Sequence, residues 1–101
     1  MLLEIIELEE VGHLQLKGEL DLSGEEALTA AIETARAGAG QLRLDLSELT
    51  FMDSSGLRVI LRAVLSTNGA GPVVLERPSL AVRRLLDVAL PTGAPGLEIR
   101  E

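Results

Sequence analysis

The sequence predicts an α/β fold, in which a mixed sheet of four to five strands carries helices packed mainly on one face. Two strand-like segments come first and are followed by alternating helix and strand patterns, an order typical of βαβ units. Right-handed crossovers place successive helices on the same face when the strands progress in one direction. Strands two and three alternate apolar and polar residues, whereas strands covered on both faces are apolar throughout. The other face of the sheet is therefore expected to be more polar.

The N-terminal residues predict a β-hairpin. Residues 2–8 and 11–17 have strand character, and Gly12 lies near the tight turn between them. The chain is then expected to leave the sheet at residues 18–21.

The next segment predicts the first helix. Ser23-Gly24-Glu25-Glu26 has the spacing of a capping box, with Ser23 as N-cap and Glu26 at the third helical position. Gly38 and Gly40 are predicted to end the helix. Its apolar face is expected to hold Leu28, Ala31, Ile32 and Ala35.

Residues 42–65 predict a strand, a short loop and a second helix. Leucines alternate with polar residues at Leu42, Leu44 and Leu46, and helical spacing returns at Leu57, Ile60, Leu61 and Val64. Residues 51–56 lie between these patterns, and Ser54 is predicted to cap the helix with its hydroxyl. Free N–H groups and the helix dipole attract anions at this position, so a phosphate could be accommodated there.

The last third predicts a strand, a third helix and a final strand. Asn68-Gly69 is expected to stop helix two, residues 72–76 to form strand four, and Pro78-Ser79 to cap helix three. Residues 91–96 form a loop before the strand 97–100. The buried face of helix three is predicted to hold Val82, Leu85, Leu86 and Ala89, and one shared core is expected to contain Leu28, Ile32, Leu57, Leu61, Leu85 and Leu86.

Composition excludes several classes of function. The chain has 101 residues and 47% hydrophobic residues, which predicts one small globular domain. It has no cysteine, a net charge of −7 and a single aromatic residue, Phe51, so neither disulfides nor nucleic-acid binding is expected. The N-terminus does not resemble a secretory signal, and no apolar run is long enough to span a membrane. The protein is expected to be cytoplasmic.

No catalytic or metal site is predicted. His13 is interpreted as a surface residue, because no nucleophile adjoins it. Ser54 has neither the G-x-S-x-G elbow nor the neighbouring base that a hydrolase would need. Asp21, Asp45 and Asp53 are interpreted as turn and cap residues, and no glycine-rich phosphate loop with a lysine occurs.

Three segments carry a resemblance to a known family. Residues 45–57, with the sequence Asp-Leu-Ser-Glu-Leu-Thr-Phe-Met-Asp-Ser-Ser-Gly-Leu, resemble the signature of STAS domains, and most of all that of anti-sigma factor antagonists from bacterial partner-switching systems. Gly18-Glu19-Leu20-Asp21 and residues 78–87 are similar to further segments of the family. The resemblance covers roughly residues 3–90. It implies a (βα) superhelix and a single STAS domain over residues 1–101, without the C-terminal helix that relatives commonly carry.

The resemblance also implies a function. In this family the serine directly after the aspartate is phosphorylated by a partner kinase, and that serine is Ser54 here. The implied partners are a serine-kinase anti-sigma factor and a phosphatase. Binding of the antagonist to the anti-sigma factor would release the sigma factor, and the phosphatase would remove the phosphate from Ser54. The chain itself would be neither an enzyme nor a cofactor- or ligand-binding protein.

The supporting residues each keep two interpretations. Asp21 matches a family position close to the phospho-acceptor, or is a turn residue before Ser23. Asp53 orients the Ser54 hydroxyl, or is a turn residue. Gly56 admits a partner backbone or fits a tight first turn, and Arg58 pairs with a phosphate or is a solvated outer-face residue. Ser55, about 100° further round the helix, is expected to face the loop or sheet.

Two other functions remain open at this stage. One is a STAS subunit of another assembly, such as a lipid-transport or stress-sensing complex, which docks a permanent partner without turnover of phosphate. The other is a small-ligand sensor or enzyme that uses a pocket near Asp21 and Asp53.

Overall fold

The computed structural model describes residues 2–37, 40–65 and 72–101, and these ranges contain five strands and three α-helices. A short 3-10 turn, Leu22–Gly24, precedes the first α-helix. In chain order the elements are β1 (Leu3–Glu7), β2 (His13–Leu20), α1 (Glu25–Arg36), β3 (Leu42–Met52), α2 (Ser54–Leu65), β4 (Val73–Glu76), α3 (Leu80–Ala89) and β5 (Leu97–Arg100).

The strands form one mixed sheet in the order β1-β2-β3-β4-β5. β1 and β2 are antiparallel, as the predicted hairpin requires, and Gly12 lies in the turn between them with a φ of 81°. β2, β3, β4 and β5 are parallel to one another, and β3, β4 and β5 are each reached through a helix. The predicted α/β fold with a mixed sheet is therefore confirmed.

One hydrophobic core lies between the sheet and all three helices. Leu14, Leu44, Leu75 and Ile99 are paired across β2 to β5, and all four contribute to this core. Each helix adds side chains to the same cluster, which shows that the helices share one face of the sheet. The fully or nearly fully buried helix residues are Leu28 and Ile32 of α1, Leu57, Val59, Ile60, Ala63 and Val64 of α2, and Val82 and Leu86 of α3.

The opposite face of the sheet is charged and cross-linked. Arg43 donates a hydrogen bond of 2.9 Å from Nε to the Glu76 carboxylate, and it also lies 3.2 Å from a Glu10 oxygen. His13 Nε2 lies 2.7 Å from Glu76 Oε1, at ion-pair distance but without hydrogen-bond geometry. His13 is therefore half-buried in an ion-pair cluster, where the sequence suggested a simple surface residue.

Two strands extend further than the sequence predicted. β2 continues through residues 18–20 and β3 through residues 51–52, segments that were expected to be turn or loop. Register shifts after Gln15 and after Gly18 reset the pairing, so that Leu20 and Met52 become partners. A β-bulge interrupts strict alternation, and alternation was the signal used to place the strand ends.

The capping box predicted at Ser23 is wrong. Asp21 Oδ1 accepts hydrogen bonds from the Ser23 amide (3.0 Å) and hydroxyl (2.5 Å), which starts the 3-10 turn. Gly24 is the N-cap of α1 and makes no side-chain cap bond. A carboxylate accepts hydrogen bonds more strongly than a hydroxyl, so Ser23 is a donor here.

The start of α3 and the end of α1 agree with the prediction. The Ser79 hydroxyl caps α3 by accepting from the Val82 amide. α1 ends at Arg36, and Gly40 is exposed beyond it. The predicted stops at Gly38 and at Asn68-Gly69 lie outside the described residues.

The buried face of α2 is rotated from its predicted position, and that of α3 is narrower than predicted. Leu61 and Leu85 are only half-buried and Ala89 is exposed, whereas Val59 and Ala63 are buried. α2 packs against α1 as well as the sheet, and the Arg36 guanidinium donates to the Ala63 carbonyl oxygen at 2.6 Å. The second neighbour covers the side of α2 that carries residues 59 and 63.

Candidate functional site

The loops that follow β2 and β3 lie side by side at one end of the sheet. Leu20 and Met52, near the ends of these parallel strands, are paired, and the Asp53 amide donates to the Leu20 carbonyl oxygen at 3.2 Å. Asp21 and Ser54 therefore share the carboxyl edge of the sheet, where α/β folds commonly place their functional groups.

Asp53 is the residue that caps α2. Its Oδ1 accepts hydrogen bonds from the Ser55 amide (3.0 Å), the Ser55 hydroxyl (2.6 Å) and the Gly56 amide (3.2 Å). Its carbonyl oxygen accepts from the Leu57 amide at 3.1 Å. Ser54 is the first helical residue, so the prediction that Ser54 caps the helix is wrong. Asp53 also holds Ser55, not the Ser54 hydroxyl.

The two adjacent serines are in different environments. Ser54 is exposed, and its hydroxyl makes no hydrogen bond within the described part of the chain. Ser55 is half-buried, and its hydroxyl donates to the Asp53 carboxylate. Only the Ser54 oxygen is therefore free for an incoming group.

The cap gives Asp53 an unusual acidity. The hydrogen bond from the Ser55 hydroxyl lowers the pKa of Asp53, and those from the Gly56 and Ser55 amides add to the effect. Partial burial opposes them by raising the pKa, and the net direction is downward. The carboxylate is thus the form that holds the start of α2.

This lowered pKa predicts a specific loss of stability in acid. A depressed folded-state pKa adds stability that is fully present above about pH 4 and is lost as pH falls through the lower folded value. Asp53→Asn removes that ionisation, so its free energy of unfolding should fall less steeply than that of the wild type below about pH 4. Urea denaturation between about pH 6 and pH 3 measures this. Asp87→Asn, at an exposed carboxylate, is the control, and equal acid slopes for Asp53→Asn and the wild type would contradict the prediction.

Gly56 packs the start of α2 onto the sheet. It is buried, and a Cβ atom there would lie 2.6 Å from Leu20 Cγ and 3.0 Å from Met52 Cγ. A partner backbone cannot approach Gly56 from that side. Of the two interpretations of Gly56, the tight fit of the first turn is the one that the geometry supports.

Gly56→Ala should therefore destabilise the fold by about 1–3 kcal/mol through overpacking, although alanine is the better helix former. Gly40→Ala is the matched control, because a Cβ atom at Gly40 would meet no atom within 4 Å. Chemical denaturation of both variants measures the difference. A Gly56→Ala protein as stable as Gly40→Ala would show that the helix can shift to make room.

Arg58 and Arg62 follow Ser54 along α2 but are engaged differently. Arg62 Nη1 lies 2.8 Å from Glu25 Oε1 and ties α2 to α1. Arg58 is exposed and forms no ion pair within residues 2–37, 40–65 and 72–101. Asp21, the other predicted site residue, is half-buried, and its Oδ1 is taken up by Ser23.

A further carboxylate, within β3, makes the same contacts to the serine two residues on. Asp45 is 1% exposed, and its Oδ1 accepts from the Ser47 amide (2.9 Å) and hydroxyl (2.8 Å). Burial raises its pKa, but the bonds from Ser47 and the ion pair with Arg77 outweigh burial and lower it. The pattern Asp-x-Ser at residues 21–23, 45–47 and 53–55 was the signal in the sequence for all three aspartate–serine contacts, and sequence analysis missed it.

Exposed apolar side chains also border the site and were not predicted. Leu22 (68% exposed) follows β2, and Phe51 (40% exposed) lies two residues before Asp53. Leu80, 67% exposed, begins α3, which is fastened beside β3 because the Ser79 hydroxyl donates to the Leu49 carbonyl oxygen at 2.5 Å. These side chains make the edge near Ser54 partly apolar.

The arrangement supplies an exposed hydroxyl at this edge of the sheet. Among the described residues there is no group of three or more acidic, histidine or cysteine side chains that could hold a metal ion. No helix in the described ranges is long and apolar enough to cross a membrane. Asp21 and Asp53 each accept hydrogen bonds through Oδ1 from the serine two residues on, whereas the Ser54 hydroxyl makes no hydrogen bond among the described residues.

Comparisons with known proteins agree with this geometry. A family model described as "Mlab, STAS domain" matches residues 6–90. The structure of the anti-sigma factor antagonist SpoIIAA in its unphosphorylated form is similar at 27% identity and a TM-score of 0.68, over 97% of this chain and 87% of that one. The Bacillus cell fate determinant SpoIIAA in its phosphorylated form is 24% identical, with a TM-score of 0.66, over 97% of this chain and 90% of that one. A Thermotoga maritima protein described as a candidate anti-sigma factor antagonist is 19% identical, with a TM-score of 0.75, over 98% and 86%.

Proposed function

Because this chain belongs to the STAS domain family, whose model matches residues 6–90, we propose that it is an anti-sigma factor antagonist controlled by phosphorylation of Ser54. In its unmodified form it binds a serine-kinase anti-sigma factor and so frees the sigma factor. The kinase then phosphorylates Ser54, and the complex of the kinase with the antagonist dissociates. A phosphatase restores the binding form.

The observation that carries this proposal is the contrast between the two serines. Ser54 is exposed with a free hydroxyl, while Ser55 next to it donates its hydroxyl proton to Asp53 at 2.6 Å. The 27% identity to SpoIIAA, a protein whose solved forms are named unphosphorylated and phosphorylated, supports a role for phosphate in this chain.

The transfer step needs chemistry from the kinase. The Ser54 oxygen attacks the γ-phosphorus of ATP held by the kinase, the bond from that phosphorus to the bridging oxygen breaks, and ADP leaves. The hydroxyl proton is proposed to pass to a base of the kinase, because Asp53 is ionised with a lowered pKa, which makes it a weak base, and its Oδ1 already accepts from Ser55 and Gly56. This chain acts as the substrate and binding partner.

The effect of phosphate is local and electrostatic. A phosphoryl group adds a charge of about −1.5 to −2 at neutral pH, to a chain whose net charge is −7. That charge appears at the edge of the sheet where β2 and β3 end, the edge that also carries the exposed residues Leu22 and Phe51, and it would oppose an apolar contact with the kinase there. Ser54 loses no hydrogen bond on modification, so binding should change while the fold does not. Asp21, on the neighbouring loop, is proposed to contribute to the same docking surface.

The experiment is incubation of the protein with a candidate serine-kinase anti-sigma factor and ATP, followed by mass spectrometry of peptides. One phosphate on Ser54 and loss of the complex are expected. Phosphate on Ser55 would contradict the proposed site. The family description also names Mlab, and a partner that binds equally well with and without ATP would favour the second candidate, a STAS subunit of a permanent assembly.

A further inference from the structure

We propose that the Arg58 guanidinium binds the phosphoryl group of phosphorylated Ser54. This contact would hold the phosphate against α2 and protect it. The inference rests on the proposed function for the presence of phosphate on Ser54. It adds an intramolecular partner for that phosphate.

The two side chains are placed for contact by the helix. Ser54 and Arg58 are four residues apart on α2, and both are exposed. Side chains four residues apart lie one above the other on the same face, and a helical side chain points toward the N-terminus of its helix. The long Arg58 side chain therefore extends toward Ser54. An acidic group placed four residues before a basic one is the favourable order for such a pair.

Arg58 is available for this contact, while the next arginine on the helix is not. Arg62 is paired with Glu25 at 2.8 Å, whereas Arg58 has no ion pair in the described part of the chain. The nearest carboxylate in sequence, Asp53, is directed at Ser55 and Gly56. A phosphate on Ser54 would thus meet a guanidinium that has no competing carboxylate.

The chemistry of the pair matches its proposed role. A guanidinium presents parallel N–H donors that bind phosphate oxygens in a bidentate manner. The contact offsets part of the negative charge that modification adds and covers one side of the phosphoryl group. A phosphatase should therefore remove the phosphate from Ser54 more slowly when Arg58 is present than when it is absent.

The test incorporates phosphoserine at position 54 during translation, so that no kinase is needed. Phosphorus NMR then follows the titration of the phosphate in the wild type and in Arg58→Gln, Arg58→Lys and Arg84→Gln. Arg84→Gln removes an exposed arginine from α3 and is matched in charge. The titration midpoint should move to higher pH by about 0.2–0.5 pH unit in Arg58→Gln. Arg84→Gln should leave it in place, and Arg58→Lys should recover part of the shift.

Two further measurements, the salt dependence of the titration midpoint and the rate of dephosphorylation, make the outcome decisive. The difference between Arg58→Gln and the wild type should shrink in about 1 M salt, since a purely structural effect would not be screened. A non-specific phosphatase should remove the phosphate about twofold faster from Arg58→Gln. Equal midpoints for Arg58→Gln and Arg84→Gln would overturn the proposal. Failure of a kinase to modify Ser54 would instead contradict the proposed function, and the titration does not depend on it.

Discussion

Ser54→Ala is expected to abolish phosphorylation by the partner kinase and to keep kinase binding, which produces a permanently active antagonist. Ser54→Asp is expected to weaken kinase binding at least tenfold, because it places a negative charge in the same contact. A carboxylate mimics a phosphate incompletely, so the loss should be smaller than that of the phosphorylated wild type. Mass spectrometry after reaction with ATP and a binding titration measure the two effects.

The structure predicts that neither change unfolds the domain. Ser54 is exposed and is not the cap of α2, because Asp53 accepts the hydrogen bonds from the Ser55 and Gly56 amides. Ser55→Ala is the control: it removes the hydroxyl that donates to Asp53 but should still allow phosphate on Ser54. Tight kinase binding by Ser54→Asp, or loss of phosphate incorporation in Ser55→Ala only, would contradict the proposed switch.

The largest loss of stability on α2 is expected at Ile60. Ile60 is 0% exposed in the core shared by the sheet and the helices, and Ile60→Ala should cost about 2–5 kcal/mol. That loss is comparable to much of the stability of a small domain. The neighbouring Leu61 is half-buried at the margin of the same core, so Leu61→Ala should cost clearly less, about 1 kcal/mol.

Urea denaturation of the two variants under one set of conditions provides the measurement. The pair is well matched, because both changes truncate a four-carbon side chain to a methyl group at adjacent positions of one helix. A larger loss at Leu61 than at Ile60 would contradict the structure, in which Ile60 is the more deeply buried of the two.

The sequence by itself determined the kinds of elements, their order and the layout of helices on one face. The periodic patterns of β2, β3 and α2 can each be seen within one segment of the sequence, because each pattern depends on which side of that one element faces the core. Residues 45–57 likewise pointed to Ser54 by their resemblance to STAS domains, and they placed it at the start of a helix. Local signals were sufficient because neither conclusion required a contact between distant segments.

Only the tertiary structure decided which residue caps α2, which side of that helix is buried and which distant side chains meet. Ser54 and Asp53 are both good capping residues, and the choice of Asp53 follows from the backbone position that the Leu20 carbonyl oxygen imposes on its amide. The rotation of α2 depends on α1, which covers a side that the sequence cannot identify as covered. The close contact between His13 Nε2 and Glu76 Oε1 joins strands that are not neighbours in sequence. Periodicity describes one element at a time, whereas hydrogen-bond partners and burial depend on every segment that packs beside it.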